Sequence, residues 1–157
     1  MPEITPCLWY DMNAQEAVEF YTKVFPNSKV LDTSYYPENA PVPAGTVLTV
    51  EFELDGRRFI ALNGGPQFPF TEAVSLQIDC GDQDEVDYYW DALLADGGEE
   101  SQCGWMKDRY GLSWQVVPRR LIELLEGPDR EAASRASDAL MTMQKIDTAA
   151  LEAAARG

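Results

Sequence analysis

The sequence predicts an α+β fold in which one unit, a short strand followed by a helix and then further strands, occurs twice. Residues 4–25 and 73–94 repeat the same pattern 69 positions apart, so that Trp9 corresponds to Ile78. Segments with alternating apolar and polar residues follow each copy, as expected for strands of a sheet. Beyond Pro118 the pattern becomes helical, which predicts a C-terminal helical tail.

Each copy contains an amphipathic helix with a recognisable start. Asn13 and Glu16 have the spacing of a capping box, with an amide in place of the usual Ser or Thr. Asp82 and Glu85 repeat that spacing in the second copy. Apolar residues then recur at intervals of three and four and predict one buried stripe on each helix. They are Ala14, Ala17, Val18, Tyr21, Val24 and Phe25, and then Val86, Tyr89, Trp90, Leu93 and Leu94.

Period-two alternation predicts strands that have one apolar face and one smaller or more polar face. The apolar positions include Leu48, Val50, Phe52, Leu54, Leu76, Ile78, Trp114 and Val116. If helices cover the apolar face, the smaller and polar residues point to the other side and line a pocket where that side is concave. The alternative is an ordinary solvated sheet face, since any one-sided antiparallel sheet shows this alternation.

Composition excludes several classes of partner. The 157 residues carry a formal net charge of −15, which opposes binding to nucleic acids and to anionic membranes. No apolar run approaches the about 20 residues needed to span a bilayer, and the N-terminus lacks signal-peptide features, so we expect a cytoplasmic protein. Cys7, Cys80 and Cys103 fit neither a disulfide framework nor a zinc site and are expected to be free thiols.

The predicted organisation is a domain of residues 1–118, with modules at about 1–66 and 67–118, and a tail of residues 119–157. The end of the tail is rich in alanine and buries little surface by itself. It therefore needs a second surface, either its own sheet or another chain. The tail and the edges of the predicted sheets together favour a homodimer.

Four segments carry a resemblance to a known family. They are FYTKVFPNS at 20–28, FELDG at 52–56, ALNGGP at 61–66, and CGW through YGLSWQVVP at 103–118. These segments resemble the PhnB-like branch, often labelled 3-demethylubiquinone-9 3-methyltransferase, of the vicinal oxygen chelate superfamily. That superfamily contains glyoxalase I, bleomycin-resistance proteins and extradiol dioxygenases. The resemblance implies two βαβββ modules that form a U-shaped, eight-stranded mixed sheet, a pocket inside the U, and usually a homodimer.

The resemblance also implies where a metal would bind, because enzymes of the superfamily place one His or Glu ligand on the first and fourth strands of each module. Those positions hold Pro6, Ala61, Ala73 or Ser75, and Gln115. None is a normal ligand of a transition metal, and the chain contains no histidine. An all-carboxylate substitute would have to draw on three separate segments, with Glu51, Glu53, Glu72 and Asp79. We therefore expect no bound metal and no other cofactor.

The motifs of two common reactions are missing. A methyltransferase of the nucleotide-binding fold needs a Gly-rich turn between a parallel strand and a helix. Gly64-Gly65-Pro66 instead follows a hairpin strand, and no helix pattern comes after it. Without histidine, no imidazole can activate a serine or cysteine nucleophile.

Two functions are compatible with these observations. The first is a metal-free small-molecule binding protein with an unidentified ligand, and the second is a metal-independent enzyme that acts on a small polar substrate in the same pocket. A metal-dependent lyase, isomerase or dioxygenase, or a methyltransferase, is less favoured, and the sequence leaves catalysis open. The predicted pocket residues, chosen by strand parity, are Tyr10, Asn63, Ser75, Gln77 and Gln115. Lys107 and Arg109 are predicted to lie at the rim, where their charges would meet an anionic ligand.

Overall fold

A computed structural model describes all residues, 1–157, and divides the chain into two compact units, residues 1–70 and 71–157. The elements of the first unit are β1 (Cys7–Tyr10), α1 (Ala14–Val24), β2 (Lys29–Tyr35), β3 (Val47–Leu54) and β4 (Arg57–Asn63). The second unit contains β5 (Ser75–Cys80), α2 (Gln83–Leu94), β6 (Glu99–Glu100), β7 (Trp105–Lys107), β8 (Ser113–Pro118), α3 (Arg119–Glu126), α4 (Arg130–Leu140) and α5 (Thr148–Arg156). The predicted α+β fold of two βαβββ modules with C-terminal helices is confirmed.

Each unit contains a four-stranded mixed sheet with the same connectivity. The strand order is β1-β4-β3-β2 in the first sheet and β5-β8-β7-β6 in the second. In both sheets the first strand of the unit runs parallel to the last, and the other neighbours are antiparallel. The repeat seen in the sequence is therefore a repeat of topology.

The core of the first unit lies between its sheet and α1. The Tyr21 ring on α1 stacks on Phe52 with centroids 6.4 Å apart, and Phe52 stacks on Phe59 at 5.5 Å. The predicted stripe of α1 is buried at Ala14, Ala17, Val18, Tyr21 and Val24. Aromatic and β-branched side chains thus fill the space between helix and sheet, as a two-layer unit requires.

The spacing of 69 positions holds for the helices and fails for the first strands. Three residues, 11–13, connect β1 to α1, whereas only two, 81–82, connect β5 to α2. Because strand side chains alternate between two faces, the additional residue shifts β1 by one position relative to β5. Tyr10 therefore corresponds to the buried Cys80, and the predicted correspondence of Trp9 with Ile78 is wrong.

The two helix starts are capped differently. Asp82 caps α2 as predicted, because its Oδ1 accepts a hydrogen bond from the Glu85 amide at 2.9 Å. Asn13 makes no side-chain cap on α1. The amide of Ala14 donates instead to Oδ1 of Asn63 at 2.8 Å, so the end of β4 caps the helix. The predicted capping box is thus confirmed for the second helix and wrong for the first.

The C-terminal helices pack against their own unit. Val117 at the end of β8 forms an apolar cluster with Leu121, Leu140, Ile146 and Leu151. The segment before α5 is also tied to the turn that precedes β7, since the Gly104 amide donates to the Gln144 carbonyl at 2.8 Å. Of the two surfaces that the tail was expected to use, the structure shows the one on its own unit.

The remaining sequence-based expectations concern thiols and membranes. The three cysteines are free, with Cys7 exposed, Cys80 buried and Cys103 partly buried. None of the five helices combines the length and apolar character that crossing a bilayer requires.

Candidate ligand-binding site

The second sheet has one polar face. α2 packs on β5, β7 and β8, whose buried side chains on that side include Met106, Trp114 and Val116. On the opposite face two rows of side chains run across the strands, because residues two apart on a strand share a face. One row contains Ser75, Ser113, Lys107 and Glu99, and the next contains Gln77, Gln115 and Trp105.

Three of the predicted pocket residues lie together on this polar face. Gln115 on β8 pairs in register with Gln77 on β5, and its Nε2 donates to the Ser75 hydroxyl at 2.9 Å. Ser75 and Gln115 are partly buried, and Gln77 is exposed. Strand parity predicted their shared orientation correctly for the second unit.

The other two predicted residues, Tyr10 and Asn63, face α1 in the first unit. The Tyr10 hydroxyl donates to the hydroxyl of Tyr21 at 3.0 Å. The Asn63 amide caps α1 and also donates to the Val47 carbonyl at 3.0 Å. The expectation that they lie on the face away from the helix is wrong. The longer turn after β1 directs Tyr10 toward α1, and Asn63 is its register partner on β4 and shares a face with the buried Phe59 and Ala61. Their polar groups hold the helix on the sheet.

A cavity of about 170 Å³ opens on the polar face of the second unit. It is lined by Glu72, Glu99, Glu100, Ser101, Trp105, Met106, Lys107 and Ser113. Lys107, one of the two predicted rim residues, is among the lining residues. Arg109 is not among the lining residues and pairs with Asp96, with Nη2 and Oδ2 3.4 Å apart.

Ser113 is the most unusual residue of this cavity. Its side chain is 1% exposed, and its Oγ has no hydrogen-bond partner in the protein. A buried hydroxyl without a partner costs about 1–3 kcal/mol on the scale of protein mutational data. The fold therefore leaves a hydroxyl unsatisfied in a residue that lines the cavity, although the hydroxyl oxygen itself is buried.

The charges around the cavity are unequal. Lys107 forms an ion pair with Glu72, and this hydrogen bond raises the pKa of Lys107 and lowers the pKa of Glu72 relative to their ordinary values. Glu100 accepts a hydrogen bond from the Trp90 indole at 3.1 Å. Glu99 takes part in no ion pair. The Glu100 side chain thus points toward α2, as do its register partners Met106 and Trp114, and the charged side chains on the polar face of the cavity are Glu72, Glu99 and Lys107.

Sequence reasoning missed most of the lining residues. Ser113 alternates with Trp114 and shares its face with Gln115, so period two contained the signal that it points to the polar side. Glu99 and Glu100 form a strand of only two residues, which is too short for any periodicity to reveal. Their place at the cavity depends on pairing with β7.

The positions at which the superfamily holds a metal do not fit one in this chain. Ala61 is fully buried on the α1 side, and the Gln115 amide is hydrogen-bonded to Ser75. No group of three or more His, Cys, Asp or Glu side chains is placed to hold a metal ion. Three of the four carboxylates considered as substitutes are engaged with cations: Glu51 with Arg58, Glu72 with Lys107, and Asp79 with Arg119. The donors present therefore do not match the imidazole, thiolate or carboxylate set of a transition-metal site.

The fold is that of the vicinal oxygen chelate superfamily, and comparisons with known proteins agree. The PhnB protein from Bacillus cereus is 33% identical, with a TM-score of 0.67 over 74% of this chain and 99% of its own. Protein PA1353 from Pseudomonas aeruginosa is 19% identical, with a TM-score of 0.60 over 75% of this chain and 98% of its own. The fosfomycin resistance protein FosX from Listeria monocytogenes, in a complex with Mn(II) and sulfate, is 14% identical, with a TM-score of 0.53 over 74% of this chain and 89% of its own.

The family follows from the sequence match. Residues 2–117 match the family described as 3-demethylubiquinone-9 3-methyltransferase, and the chain belongs to this PhnB-like family. No match is found among curated proteins. The Gly64-Gly65 turn that follows β4 leads to β5 and not to a helix, so the chain lacks the strand–turn–helix arrangement that nucleotide-fold methyltransferases use.

Proposed function

We propose that this protein binds a small polar molecule on the polar face of its second unit without a transition metal. The observation that carries the proposal is Ser113, which lines a cavity of about 170 Å³ and whose buried hydroxyl has no partner in the protein. Around it, Lys107 and Trp105 offer a charge and an aromatic surface. Ligand sites combine such a concave surface with a small number of polar groups.

The adjacent row of polar side chains supports the same site. Gln115 and Gln77 lie beside Trp105 in the next row, and Ser75 accepts the Gln115 hydrogen bond. Amide and hydroxyl groups of this kind fix the orientation of a ligand through directional hydrogen bonds. Tyr10 and Asn63 of the first unit are not available for such a site, because they are occupied in holding α1.

Ser113→Ala tests the proposal because it separates stability from binding. Removal of an unsatisfied buried hydroxyl should raise the free energy of unfolding by about 1 kcal/mol. Ligand extracted with the protein and detected by native mass spectrometry should be lost in the same variant. A group that is kept for function at a cost in stability is expected to show this combination of higher stability and lost binding when it is removed.

Ser137→Ala on α4, which lines no part of the cavity, is the matched control and should leave bound ligand unchanged. A wild-type protein without ligand, from several expression hosts, and a destabilised Ser113→Ala variant would together contradict the proposal.

The metal-free part of the proposal follows from the donors at the inherited positions, Pro6, Ala61, Ala73 or Ser75, and Gln115. Elemental analysis of dialysed protein should find zinc, nickel, iron and manganese well below one atom per chain. A ratio near one, with loss of ligand binding on chelation, would restore the metal chemistry of the superfamily.

A further inference from the structure

We propose that Asn63 is a site of spontaneous deamidation that the folded first unit keeps closed and that reacts when the start of α1 opens. Asn63 is followed by Gly64, and an asparagine before glycine is especially prone to this reaction, because glycine has no side chain to hinder the attack. The site lies in the first unit and the proposed ligand site in the second, so the two are tested separately.

The reaction needs no partner other than water. The amide nitrogen of Gly64 loses its proton and bonds to Cγ of Asn63, while the bond from Cγ to Nδ2 breaks and ammonia leaves. Water then opens the cyclic imide at either carbonyl, which gives aspartate or isoaspartate. No oxidant or reductant takes part.

Both reacting groups are held by other parts of the first unit. The Gly64 amide donates to the Tyr10 carbonyl at 3.0 Å. The Asn63 side chain accepts from the Ala14 amide at 2.8 Å and donates to the Val47 carbonyl at 3.0 Å. Because a nucleophile reacts only when it approaches its carbon in the right direction, these bonds to β1, α1 and β3 have to break before the ring closes.

A further bond and burial add to the protection. The Tyr36 hydroxyl donates to the carbonyl of Asn63, which belongs to the peptide group that joins the two reacting residues. Asn63 is only 4% exposed, so the water that completes the reaction is largely kept out. The folded protein therefore restrains the side chain, the attacking nitrogen and the peptide group between them.

Packing explains why this reactive pair is present. A Cβ atom at position 64 would lie 2.2 Å from the Trp9 indole, so the close approach of the two segments requires glycine. Asparagine at position 63 supplies both the acceptor for α1 and the donor for β3. The two residues that hold the helix start on the sheet are thus also the two that can react with each other.

The product does not restore these contacts. In aspartate an oxygen replaces Nδ2 and faces the Val47 carbonyl, so two acceptors meet in a buried place. Isoaspartate adds a methylene group to the main chain, which shifts Gly64 relative to Tyr10. Conversion is therefore one-way, and the modified fraction records how often the helix start has opened.

Incubation in mildly alkaline buffer, with and without urea, tests the proposal. Peptide mass spectrometry measures the gain in mass at each asparagine. In urea we expect Asn63 to convert before the exposed Asn39, which is followed by alanine. In the native protein Asn63 should convert at least about ten-fold more slowly than in urea, since only opened molecules react. Asn39 is the internal control and should convert at similar rates in both.

Tyr36→Phe removes the hydroxyl that holds the peptide group of the site. We expect Asn63 to convert about five-fold faster in the native variant, the factor that loss of one hydrogen bond gives, and at an unchanged rate in urea. Tyr35→Phe is the matched control, because Tyr35 is 59% exposed and its loss of a hydroxyl should not alter the rate.

Asn63→Asp has the composition of one product. It should unfold at a lower urea concentration than the wild type, and the first amides of α1 should exchange faster with solvent. Gln15→Glu makes the same replacement of an amide by a carboxylate at an exposed position of α1 and should not lower stability.

Each result has a definite meaning for the proposal. Absence of conversion at Asn63 in urea would overturn the site, and equal rates in native protein and urea would overturn its closure by the fold. An unaltered native rate in Tyr36→Phe would overturn the role of that hydroxyl. An Asn63→Asp variant as stable as the wild type would overturn the one-way character of the conversion.

Discussion

Buried polar residues have distinct roles in this protein, and the roles depend on their partners. Asn63 uses both its oxygen and its nitrogen to join β4, α1 and β3. Cys80 is buried without a charged partner that would favour its thiolate. Ser113 is buried without a partner in the protein. The first two are explained by stability, and the third is the residue on which the proposed ligand site rests.

Asn63→Ala should lower the free energy of unfolding by about 2–3 kcal/mol, because it leaves the Ala14 amide and the Val47 carbonyl unsatisfied in a buried place. Urea denaturation measures this loss in the free energy of unfolding, provided that the m-value is the same in both proteins. Gln15→Ala on the exposed side of α1 is the control and should change stability little. Equal losses in the two variants would show that Asn63 does not hold the helix start.

Cys80 should resist alkylation in the folded protein. Burial raises the pKa of its thiol to about 12, so the group stays protonated at pH 8.5, and the side chain is 0% exposed. Iodoacetamide at that pH should modify the exposed Cys7 first, and Cys80 only after unfolding. Peptide mass spectrometry of native and denatured samples distinguishes the sites. Rapid native labelling of Cys80 would show that the strand end opens to solvent.

At the scale of elements, the hairpin before β8 is organised by one buried carboxylate. Asp108 is 2% exposed and accepts hydrogen bonds from the Tyr110 amide, the Leu112 amide and the Trp114 indole. The bond to Trp114 joins the turn to the core side of β8 at 2.9 Å. Because Lys107 and Ser113 flank this hairpin, Asp108 also sets the geometry of the cavity wall.

Asp108 variants should show a graded effect. Asp108→Asn retains Oδ1 as an acceptor for the backbone amides but loses the acceptor for the Trp114 indole, and we expect a loss of about 1–2 kcal/mol. Asp108→Ala loses all three bonds, and we expect about 3–4 kcal/mol. Thermal and urea unfolding measure both variants. If the two are equally stable, the backbone bonds of the turn contribute nothing.

At the scale of the whole molecule, the C-terminal helices complete the core of the second unit. Val117 and Leu121 pack on Leu140, Ile146 and Leu151, which belong to the last 18 residues. Deletion of residues 131–157 would expose this cluster. We expect a lower melting temperature and aggregation, measured by calorimetry and light scattering. A soluble truncated chain with an unchanged melting temperature would contradict this account.

We further propose that the protein is a homodimer. The edge strand β2 exposes Val30, Leu31 and Tyr35, and an exposed apolar edge strand is usually covered. Light scattering at micromolar concentration should report about twice 17.5 kDa. Leu31→Glu should lower the measured mass toward that of a single chain, whereas Thr22→Glu on α1 should leave the mass unchanged. A wild-type monomer would refute the proposal.

The local pattern of the chain was sufficient for the α+β class, the two modules, the buried stripes of α1 and α2, and the cap at Asp82. These features depend on residues within a few positions of each other, whose spacing the sequence shows directly. It was also sufficient to place Ser75, Gln77 and Gln115 on one face, since no insertion interrupts the parity of β5 and β8. Only the tertiary structure decided the orientation of Tyr10 and Asn63, because one additional residue in the turn after β1 directs Tyr10 toward α1, and the pairing of β1 with β4 puts Asn63 beside it. It alone brought Glu72 and Glu99 to the cavity that Ser113 lines, since pairing between strands distant in the chain, and not local periodicity, determines which residues line a cavity.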